Sequence, residues 1–181
     1  TFSDLGRHAE ALPLKERALA ITEAALGPDH PNTVRCLNNL AKTFSDLGRH
    51  AEALPLMERA LAIAEAALGP DHPNTAICLN NLASTFSALG RHAEALPLKE
   101  RALAIAEAAL GPDHPRTAIH LGNLASTFSD LGRHAEALPL KERALAITEA
   151  ALGPDHPSTA IHLNNLSAIR AALEDLTRDE P

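Results

Sequence analysis

The sequence predicts an all-α protein, a solenoid of antiparallel helix pairs stacked in series. Two observations support this fold class. The segment TFSDLGRHAEALP starts at Thr1, Thr43 and Thr127, and with one substitution at Thr85, so the chain repeats every 42 residues. Its 181 residues include no Trp, no Tyr and only 4 Phe. The core must therefore be built from Leu and Ala, which suits close-packed helices better than a β-sandwich.

The repeats form one array over residues 1–181. The first and fourth repeats differ at only 6 of their 42 positions. Near-identical units indicate a stack in which each unit contacts its neighbours, and not a single compact core. The four repeats span residues 1–42, 43–84, 85–126 and 127–168.

Each repeat contains two predicted helices. The first helix begins at Asp71-His72-Pro73, because Asp or His caps a helix and Pro fits its first turn. Gly90 ends it. The second helix runs from about Ala93 to Leu110 and stops at Gly111-Pro112. One apolar face of the first helix is formed by Leu79, Leu82, Phe86 and Leu89.

These motifs resemble the tetratricopeptide repeat. Leu-Asn-Asn-Leu-Ala is followed by Phe, by Leu-Gly-Arg-His-Ala-Glu-Ala and by Ala-Leu, and small residues recur at Ala83, Ala95 and Ala102. The 42-residue length and the linker Leu-Gly-Pro-Asp-His-Pro are similar to the longer form found in the kinesin light chain and bacterial relatives. The resemblance covers almost the whole chain. It implies a right-handed superhelix with the first helices on the concave side, and a scaffold for protein partners.

The second helix and the C-terminal end depart from the family's pattern. Where the family usually has an aromatic residue, this chain has Lys15, Met57, Lys99 and Lys141. The aliphatic stem of Lys must pack there, so we expect a looser contact than in relatives. Near the C-terminus, Arg170 replaces Phe and Glu174 replaces Gly. The last helix should therefore continue, from about residue 156 to 177, as a polar cap.

The N-terminal end has no such cap. Only Thr1–Leu5 remain of the first helix of the first repeat, and the chain does not begin with Met, so we expect a fragment or a processed chain. Because the repeats are nearly identical, the two ends of the array are complementary. This makes head-to-tail self-association through the uncapped end a possible interaction.

Differences among the repeats fall on one stripe of the first helix, opposite its Leu and Phe face. The positions of this variable stripe are Asn32, Arg35, Asn38, Lys42 and Asp46, with their counterparts in the later repeats. Two interpretations stay open. In the first, these solvated positions vary because nothing constrains them. In the second, the residues of the stripe are selected for binding a ligand in the groove.

One residue near the stripe does not vary. An Asn side chain can bond both the C=O and the N–H of an extended peptide without reading its side chains, and the family resemblance implies this use. The alternative is that each Asn bonds a neighbouring repeat or water. The invariant residues are Asn39, Asn81, Asn123 and Asn165.

The expected groove changes along its length. Arg35 and Lys42 provide positive charge near the N-terminal end, beside Asn38, and Gly122 removes a side chain where Asn80 stands one repeat earlier. An apolar rail is formed by Ile77, Ile119 and Ile161. We therefore expect a peptide with an acidic group at one end and one or two apolar side chains beyond it.

The histidines and cysteines do not indicate a metal or catalytic site. Equivalent residues in a stack lie ~8–10 Å apart, so a ladder of single residues does not converge on a metal. Cys36 and Cys78 are expected to be free thiols for the same reason. A role in turns or caps is expected for His30, His72, His114 and His156, and a structural role for His8, His50, His92 and His134.

Charge and motifs exclude several function classes. A net charge of −7 argues against nucleic acid or an anionic membrane as partner. The printed sequence does not open on a charged-then-apolar signal pattern, and it contains no phosphate-binding, zinc or nucleophile motif. We expect a cytoplasmic, non-enzymatic scaffold without cofactors that binds extended peptides in the concave groove. The alternative is a structural spacer or self-associating array, and a consensus-like or recently amplified array without a ligand also stays open.

Overall fold

The computed structural model describes residues 8–178, and most of this range is helical. In chain order the helices are α1 (His8–Leu26), α2 (Pro31–Asp46), α3 (His50–Leu68), α4 (Pro73–Ala88), α5 (His92–Leu110), α6 (Pro115–Asp130), α7 (His134–Leu152) and α8 (Pro157–Arg178). The predicted helices at 93–110 and 156–177 correspond to α5 and α8. The helix turn predicted at Thr1–Leu5 lies outside the described residues.

The chain divides into two compact modules. The N-terminal module, Thr1–Arg91, holds α1–α4, and the C-terminal module, His92–Pro181, holds α5–α8. Within each module, every helix packs against the one that follows it. The first helices of the repeats are α2, α4, α6 and α8. Two repeats of 42 residues separate equivalent positions, so each residue of one module has a counterpart 84 residues away in the other.

Histidine and threonine fix the start of every first helix. Nδ1 of His72 accepts the backbone N–H of Asn74 at 3.1 Å, which caps α4 as predicted. Thr75 is buried, and its hydroxyl donates to the carbonyl of Gly69 at 2.8 Å. Gly69 ends α3 with a φ of +98°, a left-handed conformation that favours glycine. The same cap is formed by His30, His114 and His156.

The core lies between consecutive helices and consists mainly of Leu, Ala and Ile, with one Phe in each of α2, α4 and α6. In the C-terminal module, Leu121 is completely buried and belongs to one cluster with Phe128 of α6, Ala144 and Ile147 of α7, and Ile169 of α8. This packing leaves the variable stripe on the accessible side of the first helices. None of the helices in residues 8–178 has the length and hydropathy that crossing a bilayer requires.

Candidate functional site

Three of the second helices carry a lysine at the same repeat position, where Lys99 and Lys141 are buried and Lys15 is half-buried. In the N-terminal module, Lys15 of α1 donates to the hydroxyl of Thr43 in α2. In the C-terminal module, Lys99 of α5 donates to Thr127 in α6 at 2.7 Å. Lys99 is only 6% exposed, and burial lowers its pKa, an effect that the nearby Asp130 carboxylate partly offsets. We predicted that the lysine stem packs here, but not that the ammonium group is itself enclosed and bonded.

Lys141 of α7 is enclosed in a different way. It is 4% exposed, and its Nζ donates to the carbonyl of Gly122 and to the hydroxyl of Ser126, both at 3.0 Å. The reason lies on α8, where Ile169 stands in place of Thr127 and offers no acceptor. The ammonium therefore bonds to the preceding helix, α6, instead of the following one.

The electrostatic surroundings of Lys141 include both signs of charge. Burial lowers the pKa of Lys141 most, the Asp130 carboxylate raises it, and Lys99 lowers it. The carboxylate of Asp130 also lies 3.4 Å from Nδ1 of His92. Two enclosed lysines and one carboxylate thus share a small region of the C-terminal module.

An open cleft lies beside the first helices in each module. The N-terminal cleft has a volume of about 290 Å³ and is lined by Asn38, Asn39, Lys42, Ser45, Asp46, His50, Met57, Asn81, Ser84, Thr85 and Ala88. The C-terminal cleft has a volume of about 230 Å³ and is lined by Ser126, Ser129, Asp130, His134, Lys141, Asn165, Ala168 and Ile169. The two clefts occupy equivalent places, because each lining residue of the second is the counterpart of one in the first.

The positive charge has a different location in the two clefts. In the N-terminal cleft it lies on Lys42, which is exposed and forms an ion pair with Asp46 at 2.9 Å. In the C-terminal cleft the charge lies on the buried Lys141, while Ser126 replaces Lys42 and Lys141 replaces Met57. Lys42, which we expect to meet an acidic ligand, is accessible with its side chain 71% exposed, and Asp46 is its carboxylate partner.

The invariant asparagines differ in what they bond. Nδ2 of Asn81 donates to Oδ1 of Asn38 at 3.4 Å, and Nδ2 of Asn38 donates to Sγ of Cys78 at 3.8 Å. This is the contact with a neighbouring repeat that we considered as an alternative. In the C-terminal cleft, Gly122 replaces Asn38, and the side-chain amide of Asn165 forms no hydrogen bond with any described residue.

Gly122 adjoins His162 of the following first helix, α8. A Cβ atom at Gly122 would lie 3.5 Å from Cε1 of His162, which is an ordinary van der Waals contact. Burial lowers the pKa of His162, and Lys141 lowers it further. Within residues 8–178, no three His, Cys, Asp or Glu side chains are placed to hold a metal ion.

The remaining predicted residues are accessible on the first helices. Ile119 and Ile161 line another cleft of about 280 Å³ with Arg116 and His162, in the C-terminal module. Ile77 and Arg35 are exposed on α4 and α2, and Asn39 is exposed at the N-terminal cleft. The half-buried residues of the set are Asn38, Asn80, Asn81, Gly122 and Asn123.

We did not predict from the sequence that Lys141 and His134 line a cleft. Nδ1 of His50 and Nδ1 of His134 are buried, and neither has a hydrogen-bond partner among the described residues. Both histidines recur in every repeat, which concealed their position beside the clefts. The signal that could have singled out Lys141 is Ile169, the break in an otherwise invariant Thr position.

The comparisons with known proteins agree with this architecture. The tetratricopeptide repeat family model matches residues 1–66, 44–108, 79–150 and 129–178. A solved Podosopora anserina protein, described as a kinesin light chain with nearly identical TPR-like repeats, is 28% identical and aligns over 98% of this chain and 84% of its own at a TM-score of 0.84. BtubC (BKLC) from P. vanneervenii is 25% identical over 99% of this chain and 71% of its own, also at 0.84. No curated protein matches the chain. The predicted all-α solenoid of helix pairs is confirmed.

Proposed function

Because the chain belongs to the tetratricopeptide repeat family, we propose that it is a non-enzymatic scaffold that binds extended peptide segments on the accessible face of its first helices. Proteins of this family generally mediate protein interactions. The binding residues would be those that line the clefts, Asn81 and Asn165 among them, together with the exposed Ile77, Ile119 and Ile161.

The observation that carries this proposal is where the repeats differ. Residues of the core keep their identity, as at Leu37, Leu79 and Leu121, which are all completely buried. The substitutions from Lys42 to Ser126 and from Met57 to Lys141 fall in the lining of the two clefts. Substitutions in the lining of a cleft on a constant framework would allow a repeat scaffold to change its ligand.

The size of the clefts favours a peptide. Volumes of about 230 and 290 Å³ hold one or two side chains, and both clefts are open to solvent. Exposed isoleucines on the same helices add apolar area. An extended chain can place successive side chains in such subsites while an Asn amide bonds its backbone.

A head-to-tail array is the second candidate. Ile21 of α1 is 58% exposed, whereas its counterparts Ile63, Ile105 and Ile147 are at most 5% exposed. This apolar side of α1 favours a contact with another surface. Sedimentation velocity over a range of concentrations tests it, because self-association raises the sedimentation coefficient with concentration and a monomeric peptide scaffold keeps it constant.

We also assign the chain to the cytoplasm. Cys36 and Cys78 are both free thiols, and Cys78 is buried. Burial raises the pKa of the Cys78 thiol, which keeps it in the unreactive protonated form. Unpaired cysteines are ordinary in a reducing compartment.

Phage display of random 12-residue peptides on the purified chain tests the proposed function. We expect enriched peptides whose affinity falls at least about tenfold, or about 1.4 kcal/mol, when Asn81→Ala and Asn165→Ala are combined. The matched control combines Ala62→Gln and Ala146→Gln, which alter exposed positions of the second helices α3 and α7. Isothermal titration gives the affinities. A loss caused by the control pair, with no effect of the asparagine pair, would contradict the proposed face.

A further inference from the structure

We propose that the C-terminal cleft binds an acidic side chain, Glu or Asp, of an extended peptide, whereas the N-terminal cleft accepts an uncharged side chain. This inference rests on the proposed function, since it names the chemistry of the same surface. The distinguishing residues are Lys141 and its counterpart Met57, which line the two clefts.

The ammonium group of Lys141 has unused bonding capacity. It carries three N–H donors, and two of them bond to the carbonyl of Gly122 and the hydroxyl of Ser126. Ser126 in turn donates to the same Gly122 carbonyl at 2.9 Å, so its own proton is already engaged. The third N–H of Lys141 is available to a group in the cleft, and a carboxylate oxygen is its strongest acceptor.

Other polar groups of the cleft suit a peptide that carries this carboxylate. The amide of Asn165 forms no bond within the described part of the chain and can hold the peptide backbone. Nδ1 of His134 is buried without a partner there. An acidic side chain would thus meet Lys141, while the main chain beside it meets Asn165.

Among the Lys, Arg, Asp and Glu residues, Lys141 and Asp130 line the cleft. Lys99 lies within electrostatic range of both but is not part of the lining. Asp130 is about half exposed, so solvent screens its repulsion of the ligand more than it screens the attraction of the enclosed Lys141.

The N-terminal cleft shares the buried histidine, since Nδ1 of His50 also has no partner among the described residues, but it differs in the other features. Met57 presents a thioether where Lys141 presents an ammonium group. Asp46 is paired with Lys42, and Asn81 already bonds to Asn38. The cleft is larger, about 290 Å³ against 230 Å³, and Met57 gives its lining an apolar side chain in place of the ammonium group, so a neutral side chain fits it better.

A titration with blocked amino acids tests the acidic site without a full peptide ligand. We would add N-acetyl-glutamate N-methylamide to the full chain and follow backbone amide signals by NMR. The expected result is saturable shifts at Ser126, Ser129 and Asn165, with a dissociation constant in the millimolar range. The blocked glutamine isostere should give none. N-acetyl-alanine offers only a terminal carboxylate, so it tests whether the cleft prefers a chain terminus to a side chain. Tighter binding of N-acetyl-alanine than of the glutamate probe would overturn the assignment to a side chain.

The variant Lys141→Met introduces the residue that the N-terminal cleft has at this position, Met57. It should lower the affinity for the glutamate probe at least tenfold. The matched control is Lys99→Met, because Lys99 is equally buried at the same repeat position but does not line the cleft. This control should change the affinity little. An equal loss in both variants would show general electrostatics, and no loss in either would remove Lys141 from the site. Both outcomes overturn the inference.

The proposed function and the acidic site can be refuted independently of each other. Display-selected peptides that bind the first-helix face equally well with Glu→Gln replacements would leave the proposed function intact and refute the acidic site. Saturable binding of the glutamate probe at Lys141, combined with a failure of every peptide to bind, would support the acidic site and refute the peptide scaffold.

Discussion

Truncation of Leu121 to alanine should lower the free energy of unfolding by about 3 kcal/mol, within the range measured for buried Leu→Ala changes. Leu121 is 0% exposed and belongs to the C-terminal cluster, together with Phe128 of its own helix and Ala144 of α7. Removing its side chain leaves a cavity that the rigid helix pair does not fill. Equilibrium urea unfolding, followed by far-ultraviolet circular dichroism, measures the change.

The chain provides a matched control for this substitution. Leu163 is the counterpart of Leu121 one repeat later, on α8, but it is 45% exposed. Leu163→Ala should therefore lower the free energy of unfolding by less than about 1 kcal/mol, because a half-exposed side chain loses little buried area. Equal losses at the two positions would contradict the difference in burial between Leu121 and Leu163.

Replacement of Lys141 by methionine should raise the free energy of unfolding by about 1–2 kcal/mol at pH 7, since replacing buried charges with apolar groups of similar volume is often stabilising. Met57 shows that methionine fits this repeat position with little exposure. The bond from the Ser126 hydroxyl to Gly122 remains, so the substitution leaves no buried donor without an acceptor.

The advantage of this variant should decrease at high pH. Burial lowers the pKa of Lys141 in the folded chain below its ordinary value of 10.5. Below the lowered pKa both the folded and the unfolded states are protonated, and the full burial cost is present in the wild type. As the pH rises toward 10.5, the folded state releases its proton first and the wild type gains stability. Urea midpoints between pH 7 and 10.5 should converge for the two proteins, and a constant or reversed difference would contradict a charged, buried Lys141.

The helices were predictable from the sequence because local signals agree with the period. A His-Pro pair starts each first helix, as at His72-Pro73, and a glycine such as Gly69 ends the second helix before it. The Leu and Phe positions of one helix face are the buried ones, and the variable stripe is accessible. Repeats that contact their neighbours need little long-range information, so the pattern of one repeat describes the next.

The bonding inside the clefts was not predictable from one repeat. Lys99 and Lys141 occupy the same repeat position, but Lys99 bonds to the helix that follows its own and Lys141 to the helix that precedes its own. The reason is that Thr127 offers Lys99 an acceptor, whereas Ile169 offers none to Lys141. Lys42 is likewise paired by a carboxylate one helical turn away. Such contacts depend on combinations of residues from two or three helices, and periodicity does not encode them.

Isoleucine methyl NMR tests the central claim most directly, namely that a peptide partner binds the accessible face of the first helices. A display-selected peptide would be titrated into chain labelled at the isoleucine δ-methyl groups. We expect shifts at the exposed Ile77, Ile119 and Ile161. Ile21 should not shift, because it is similarly exposed but lies on a second helix. Shifts confined to Ile21, with the three stripe isoleucines unchanged, would contradict this claim.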